Sequence, residues 1–497
     1  MSSKSFVKDL AVYSPSQFLP ALTAFVTTPI LTRLFLPAEY GHWAVAASIS
    51  SFLVALAVSG MGSAVLRYYP SYKERSDLKT FFATISVSTI MVIIGVTGVS
   101  LLLLIPLKQF LPSALYQLIP LILLIFIAQS IFTVFISAVR AQELGGSFTT
   151  YQLFVNYGSL GFGLLLVLAF GLRIDGLLWG TFLALILVLP ILISRVVRLN
   201  GIHPQHFHFG DALEIWQYAW PLTLGNVAMW GLRVSDLFII GASQPERDIG
   251  LYTVSYNISA KSIELLVTLF LLSVSPLIFR TWEVNGRNTT EDVLTMVTRT
   301  YLILCLPAAV GLTILALPFV MLLATPEYYA GYRIVGFVVF SSFLWGLANM
   351  ANAGMAIQKK AIQLGINQII AAAIHIGLQL FLVPRFGYVA SAVSTLIGYA
   401  TLLTLNAVFS QPHLTWHFPF RTLINVGMAS IAMGLAAWET YHLSEVESLP
   451  LPISIFLSIA VAIPVYGGCL WLLDEIKADE KDMFQHLWKR MTGGQHV

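Results

Sequence analysis

The sequence predicts an all-α polytopic membrane protein of about fourteen transmembrane helices. They are expected to form two parallel-repeat six-helix bundles around a central cavity, plus two extra C-terminal helices. Three observations lead to this prediction. Hydrophobic residues form 57% of the 497-residue chain and charged residues only 10%, whereas soluble domains are about 25% charged. Apolar stretches of membrane-spanning length recur along the chain, and Lys and Arg collect in every second link between them.

Each predicted span is close to the length of about 20 mostly apolar residues that crosses a bilayer as a helix. In order, the fourteen spans cover residues 12–35, 42–66, 80–105, 116–139, 148–170, 177–194, 217–240, 250–279, 297–323, 333–356, 363–383, 388–409, 421–440 and 450–473.

The positions of the basic residues predict the orientation of these spans. With the N-terminus in the cytoplasm, nineteen Lys and Arg fall in cytoplasmic segments and six in external ones. Arg233 and Lys261 lie within spans and complete the total of 27. This positive-inside bias predicts a multi-pass membrane protein with fourteen spans and both termini in the cytoplasm.

Spans seven and eight each carry a basic and an acidic residue three positions apart, Arg233 with Asp236 and Lys261 with Glu264. Residues at this spacing are neighbours on one helix face. At a rise of about 1.5 Å per residue, the two cations lie roughly 12 and 16 Å below the same membrane face. They are expected to line a polar cavity for an anionic cargo, because ionisable groups inside a membrane usually mark a functional site. The alternative is that the two pairs neutralise themselves and only hold helices together.

A weak internal repeat relates the two halves of the chain. The matched residues are Gly41, Val45, Ile49 and Ser50 in the first half and Gly250, Val254, Ile258 and Ser259 in the second. Gly171 before span six likewise matches Gly387 before span twelve. The repeat predicts bundles at 1–209 and 210–410, followed by two helices and a cytoplasmic tail at 411–497.

Spans one and seven are equivalent in this repeat, and both are interrupted by helix-breaking residues. These are Pro15, Pro20 and Pro29 in span one and Pro221, Gly225 and Gly231 in span seven. Interrupted helices at matching places in two halves point to a transport site. The alternative is that membranes simply tolerate these residues.

Five further residues have two interpretations each. Arg33 and Arg67 flank the first two spans and either contact a diphosphate or are ordinary interfacial arginines. His375 in span eleven is the candidate for ion coupling, or else a hydrogen-bonded packing residue. Asn349 and Asn352 share a face of span ten and either bond neighbouring helices or contact cargo.

No cofactor, metal or nucleic-acid partner is expected. His203, His206 and His208 do not have the spacing of a zinc site and lack cysteine support, and the two cysteines, Cys305 and Cys469, lie inside spans as free thiols. A phosphate-binding glycine-rich loop with lysine is not found in the sequence, so no ATPase machinery is expected.

Five segments carry a resemblance to a known family, and they are Thr28–Gly41 with Leu66–Tyr69, and Tyr218–Pro221 with Ser235–Gly241 and Gly250–Tyr252. They resemble the polysaccharide (O-antigen or exopolysaccharide) flippase family, and the resemblance covers roughly residues 5–410. This family belongs to the multidrug, oligosaccharidyl-lipid and polysaccharide exporter superfamily.

The resemblance implies a non-enzymatic transporter that flips a polyprenyl-diphosphate-linked oligosaccharide across the bacterial inner membrane by alternating access, with ion coupling. Its expected partners are this lipid-linked oligosaccharide, membrane lipids, and the glycan polymerase and glycosyltransferases of the same pathway. Such a role belongs to the synthesis of lipopolysaccharide or another polysaccharide.

Two other functions are weighed against a flippase. Cation-coupled multidrug exporters often use an acidic residue in their first span. This function is disfavoured here because span one has no acidic residue between Tyr13 and Leu36. A polytopic glycan polymerase or ligase usually needs a sizeable external segment that holds two substrates. This function is disfavoured because the longest external links, such as 106–117, are only about a dozen residues long.

Overall fold

The computed structural model describes residues 15–107, 113–200 and 204–475, and within them the chain is built from helices without strands. The long helices are α1 Pro15–Leu34, α2 Pro37–Glu74, α3 Leu78–Leu107, α4 Ser113–Ala141, α5 Gly145–Phe170, α6 Asp175–Asn200, α7 Phe209–Ser243, α8 Glu246–Ile314, α10 Val335–Ala351, α12 Ala361–Phe386, α13 Tyr388–Ser410, α14 Phe420–Val446 and α15 Leu451–Leu472. The short ones are α9 Ala316–Leu323, α11 Ala353–Ile357 and 3₁₀ turns at Pro204–His206 and Pro326–Ile334.

Helix α8 is two helical arms joined at Gly286, whose φ of 76° and ψ of −168° interrupt the helix. The first arm holds predicted span eight, and the second arm with α9 holds span nine. Within the described ranges, eleven helices are long and apolar enough to cross a membrane, with α8 counted once. The second arm of α8, together with the 20-residue α1 and the 35-residue α7, completes the fourteen. The predicted all-α membrane fold is confirmed.

The two halves of the chain repeat the same packing order. In the first half α2 packs on α4, α4 on α6, and α5 on α6. In the second half α8 packs on α10, α10 on α13, and α12 on α13. The matched glycines Gly171 and Gly387 end the equivalent helices α5 and α12 with φ values of 67° and 73°, a backbone region that favours glycine.

The halves meet where α2 and α8 begin, at the predicted external end. A Cβ atom on Gly250 would lie 1.8 Å from the carbonyl oxygen of Pro37, and one on Gly41 would lie 2.9 Å from that of Glu246. The two glycines matched in the sequence repeat therefore allow the same helix crossing. Close by, the Tyr328 hydroxyl donates to the carbonyl oxygen of Phe35 at 2.8 Å, which ties α1 to the second half.

The two C-terminal helices α14 and α15 pack on each other, and α14 also packs on α8. A buried ion pair fixes their predicted cytoplasmic end, with Arg299 Nε 3.2 Å from Glu475 Oε1. Glu291 accepts hydrogen bonds from Arg287 Nε at 2.9 Å and from the backbone N–H of Thr415 at 2.8 Å. Desolvation raises the pKa of Glu291, but these hydrogen bonds outweigh it and hold the pKa below its usual value.

Candidate functional site

Arg233, Lys261 and Glu264 line one cavity of about 270 Å³ between α2, α7 and α8, called here the central cavity. Arg233 is exposed, and the Lys261 side chain is 44% exposed although both lie in the middle of their spans. Lys261 Nζ lies 3.4 Å from Glu264 Oε2, so this pair, considered above as the alternative to a cargo contact, is formed along one helix face. The central cavity therefore contains two cationic groups and one carboxylate.

The predicted pairing of Arg233 with Asp236 is not formed. The Arg233 guanidinium lies 5.2 Å from the centre of the Trp345 ring, within the distance of a cation–π contact, and beside Tyr399. In the described part of the chain it makes no ion pair with a carboxylate. The charge of Arg233 thus stays available to an anion in the cavity.

Asp236 lies outside the central cavity, in a buried polar cluster between α7, α8, α12 and α13, and only 1% of it is exposed. Its carboxylate accepts hydrogen bonds from Tyr252 Oη at 2.6 Å, from Ser391 Oγ at 2.7 Å and from the Gln379 amide. Thr395 Oγ1 lies 3.4 Å away. This differs from the expectation that Asp236 lines the cavity, because its position on α7 directs it toward α12 and α13.

His375 joins the same cluster and is fully buried. Its Nε2 atom lies 2.8 Å from Gln379 Nε2, 3.3 Å from Ser235 Oγ and 3.5 Å from Asp236 Oδ1. Its Nδ1 atom has no hydrogen-bond partner among the described residues, which is unusual for a buried polar atom. The signal in the sequence for this cluster is Gln379, which lies one helical turn from His375.

Two further cavities flank the central cavity. The N-terminal chamber, of about 410 Å³, lies between α1, α4, α5, α6 and α8, and Lys261 lines both it and the central cavity. The C-terminal chamber, of about 460 Å³, lies between α2, α7, α10, α12 and α13, and Arg233 lines both it and the central cavity. Each cation therefore stands at a junction between two cavities.

Of the other four candidate residues, two line a cavity and two do not. Asn349 and Asn352 line the C-terminal chamber, and Asn349 Nδ2 also donates to the carbonyl oxygen of Trp345 at 2.8 Å. Arg33 and Arg67 are exposed and line none of the three cavities.

Among the described residues, the histidines considered above as zinc ligands do not form a group that could hold a metal ion. His203 lies outside the described residues, and His208 Nδ1 lies 3.0 Å from Asp211 Oδ1 at the start of α7. The two cysteines, Cys305 and Cys469, are free thiols.

Comparison with known proteins identifies relatives over most of the chain. A family model described as "Polysaccharide biosynthesis protein" matches residues 30–331. The "Probable flippase AglR" of Haloferax volcanii is 22% identical over 484 residues, which cover 95% of this chain and 95% of that protein.

Two solved structures have a similar fold. One, described as "Lipid II flippase MurJ, inward closed conformation", superposes with a TM-score of 0.72 at 14% identity, covering 94% of this chain and 100% of that one. The other, an inward-facing multidrug resistance MATE family transporter of the MOP superfamily, has a TM-score of 0.59 at 13% identity, covering 79% and 97%. At these identities the likeness concerns the fold.

Proposed function

The chain belongs to the polysaccharide biosynthesis protein family, and from that premise we propose that it flips a polyprenyl-diphosphate-linked oligosaccharide across the bacterial inner membrane. The observation that carries this proposal is the pair of cations, Arg233 and Lys261, on the walls of one intramembrane cavity. A diphosphate is the anionic group that a lipid-linked sugar must carry through the bilayer, and it needs positive charge there to replace water.

The two cations have complementary chemistry for a diphosphate. Arg233 presents a planar guanidinium, which matches phosphate oxygens in a bidentate geometry, whereas Lys261 is a compact point charge. Coulomb attraction is stronger inside a membrane than in water because the effective dielectric constant is lower. Glu264, 3.4 Å from Lys261, offsets part of that attraction, so the cargo is held and still released.

Alternating access fits the arrangement of the two halves. In this proposal the bundles 1–209 and 210–410 rock against each other, and the crossing of α2 and α8 closes or opens the external end. At the predicted external end, the Gly41–Gly250 crossing and the bond from Tyr328 to Phe35 hold the halves together. Both termini then lie in the cytoplasm, and the polyprenyl chain stays in the lipid throughout.

The buried cluster of His375 and Asp236 is the proposed ion-coupling site. Ionisable groups inside a membrane are costly, and this cluster leaves His375 Nδ1 and Gln379 Oε1 without partners among the described residues. The variant His375→Gln keeps a hydrogen-bonding side chain but removes the titratable ring. It is expected to lower export and to flatten the dependence of export on pH.

The test of the cargo site is the double variant Arg233→Ala/Lys261→Ala in a host whose glycan export depends on this protein. We expect export to fall at least tenfold, lipid-linked glycan to accumulate on the cytoplasmic leaflet, and membrane levels to stay normal. A matched double variant, Lys360→Ala/Arg385→Ala, removes two exposed cations outside the three cavities and is expected to export normally. Full export by the Arg233/Lys261 variant would reject the site.

The fold shared with a multidrug transporter favours one alternative, a cation-coupled drug exporter. Glu264 in the central cavity could then attract a cationic drug. Loss of the protein would in that case change tolerance to cationic drugs and leave glycans unaffected, whereas a flippase gives the opposite pattern.

A further inference from the structure

The C-terminal chamber has a chemistry different from that of the central cavity. Its charged lining residue is Arg233, which it shares with the central cavity. Most of the remaining polar groups are carboxamides, and two indole rings stand beside them. The carboxamides are Asn226, Asn349, Asn352, Gln368 and Asn406, and the indoles are Trp230 and Trp345.

Three of these carboxamides are free to bind a ligand. Asn406 donates to the carbonyl oxygen of Ala348 at 3.1 Å and accepts from Asn367 at 3.0 Å, and Asn349 bonds its own helix. By contrast, Asn226, Asn352 and Gln368 make no side-chain hydrogen bond with any residue in the described ranges. Since unpartnered amides at membrane depth are costly, their presence on one cavity wall calls for a polar occupant.

We infer that the C-terminal chamber binds the uncharged sugar nearest the diphosphate of the lipid-linked cargo. Each carboxamide offers both donors and an acceptor, as a sugar hydroxyl does, and the indole rings offer flat apolar faces for a pyranose ring. The volume of about 460 Å³ lies in the range of about 300–1,000 Å³ for small-molecule sites. This inference rests on the proposed function, because it needs the diphosphate at Arg233.

Arg233 fixes where this sugar lies relative to the phosphate. Its guanidinium contacts Trp345, a ring of the chamber wall, and it also lines the central cavity. The other indole of the chamber is held in place as well, because Trp230 Nε1 donates to Ser51 Oγ at 3.0 Å and its ring lies 4.8 Å from Phe52. A phosphate on the guanidinium therefore places its sugar in the chamber that these two indoles line.

The N-terminal chamber is the competing location. It also has free-standing carboxamides, including Gln152 and Asn156, but only one indole, Trp43, is among its lining residues. The second indole and the contact between Trp345 and Arg233 favour the C-terminal chamber. The two chambers provide matched variants for a test.

The experiment measures equilibrium binding to the full-length protein in nanodiscs. The probes are farnesyl diphosphate and farnesyl diphosphates that carry glucose, galactose, N-acetylglucosamine or N-acetylgalactosamine. For the wild type, we expect at least one glycosylated probe to bind about tenfold more tightly than farnesyl diphosphate, the effect of one or two added hydrogen bonds. Asn352→Leu/Gln368→Leu is expected to reduce this ratio below about twofold, with the affinity for farnesyl diphosphate unchanged.

The control is Gln152→Leu/Asn156→Leu, which removes the same groups from the N-terminal chamber and is expected to keep the wild-type ratio. The inference is overturned if this control loses the ratio, if the Asn352/Gln368 variant keeps it, or if no sugar tightens binding to the wild type. Failure of the proposed function looks different. In that case farnesyl diphosphate does not bind to the wild type, or it binds to the Arg233→Gln/Lys261→Gln variant with the same affinity as to the wild type.

Discussion

The substitution Gly250→Ala should prevent the two halves from closing at the predicted external end. The added Cβ would lie 1.8 Å from the oxygen, 2.6 Å from the carbonyl carbon and 2.8 Å from the Cα of Pro37. All three are backbone atoms, so no side-chain rotation relieves the clash. The start of α2 and the start of α8 must separate instead.

The size of the effect follows from the clash distance. Real Cβ contacts are essentially never shorter than 3.0 Å, so the oxygen at 1.8 Å must move by more than about 1 Å. Overpacking of this kind costs about 1–3 kcal/mol, which lowers the population of the closed external state about 5- to 150-fold. Gly41→Ala should have a smaller effect, because its closest contact is 2.9 Å.

The assay is labelling of a single cysteine by a membrane-impermeant maleimide added from outside the cell. The native cysteines Cys305 and Cys469 are first changed to Ala. Thr253→Cys then provides the single labelled cysteine, since Thr253 is buried and lines the central cavity. Gly250→Ala should label faster and export less glycan. Gly427→Ala, whose Cβ would meet nothing within 4 Å, is the control. Wild-type labelling and export in Gly250→Ala would refute the reasoning.

Three further outcomes are expected. Tyr252→Phe removes a donor from the buried Asp236 carboxylate, which costs about 1–3 kcal/mol, and a thermal midpoint equal to the wild type would contradict this bond. Arg299→Ala leaves Glu475 buried without its cation and should destabilise the protein by about 3–5 kcal/mol, whereas Arg299→Ala/Glu475→Gln should recover part of that loss in thermal unfolding. Because its folded-state pKa is lowered, Glu291 stabilises the protein above its unfolded pKa and loses this effect as the pH falls through the folded pKa. The melting temperature of the wild type should therefore exceed that of Glu291→Gln at pH 7, and this difference should shrink as the pH falls below the unfolded pKa of about 4.3. A difference that stays constant over this range would exclude the linkage.

Much of the fold could be predicted because its causes are local in the sequence. Apolar length defines the spans, and their helical form follows from it. The orientation that the basic residues predict, and the membrane depth of Arg233 and Lys261 that follows from it, stay predictions. The structure puts both side chains on the lining of one cavity, while their contact with cargo also stays a prediction. Helical spacing allowed Lys261 to pair with Glu264, the alternative to a cargo contact, and the structure forms this pair.

The partners of Asp236 could not be predicted in this way. A spacing of three residues also allowed Arg233 to be the partner of Asp236. Which residues contact Asp236 depends on how α7 is rotated against helices that lie more than a hundred residues further along the chain. Ser391 and Gln379 lie on two such helices, and polar residues of this kind are scattered through most spans. Only the packing of α12 and α13 against α7 decides which of them reach the carboxylate.

The first arm of α8 has a mechanical consequence. From the crossing at Gly250 it runs past Lys261 without a proline until Pro276, so the outer seal and the proposed cargo-binding charge lie on one helical segment. Lys261 lies about 16 Å along this segment from the crossing. A tilt of about 10° therefore moves the ammonium group by about 3 Å relative to the crossing, enough to break a contact with phosphate. Opening the outer gate and loosening the grip on the cargo would then be a single movement.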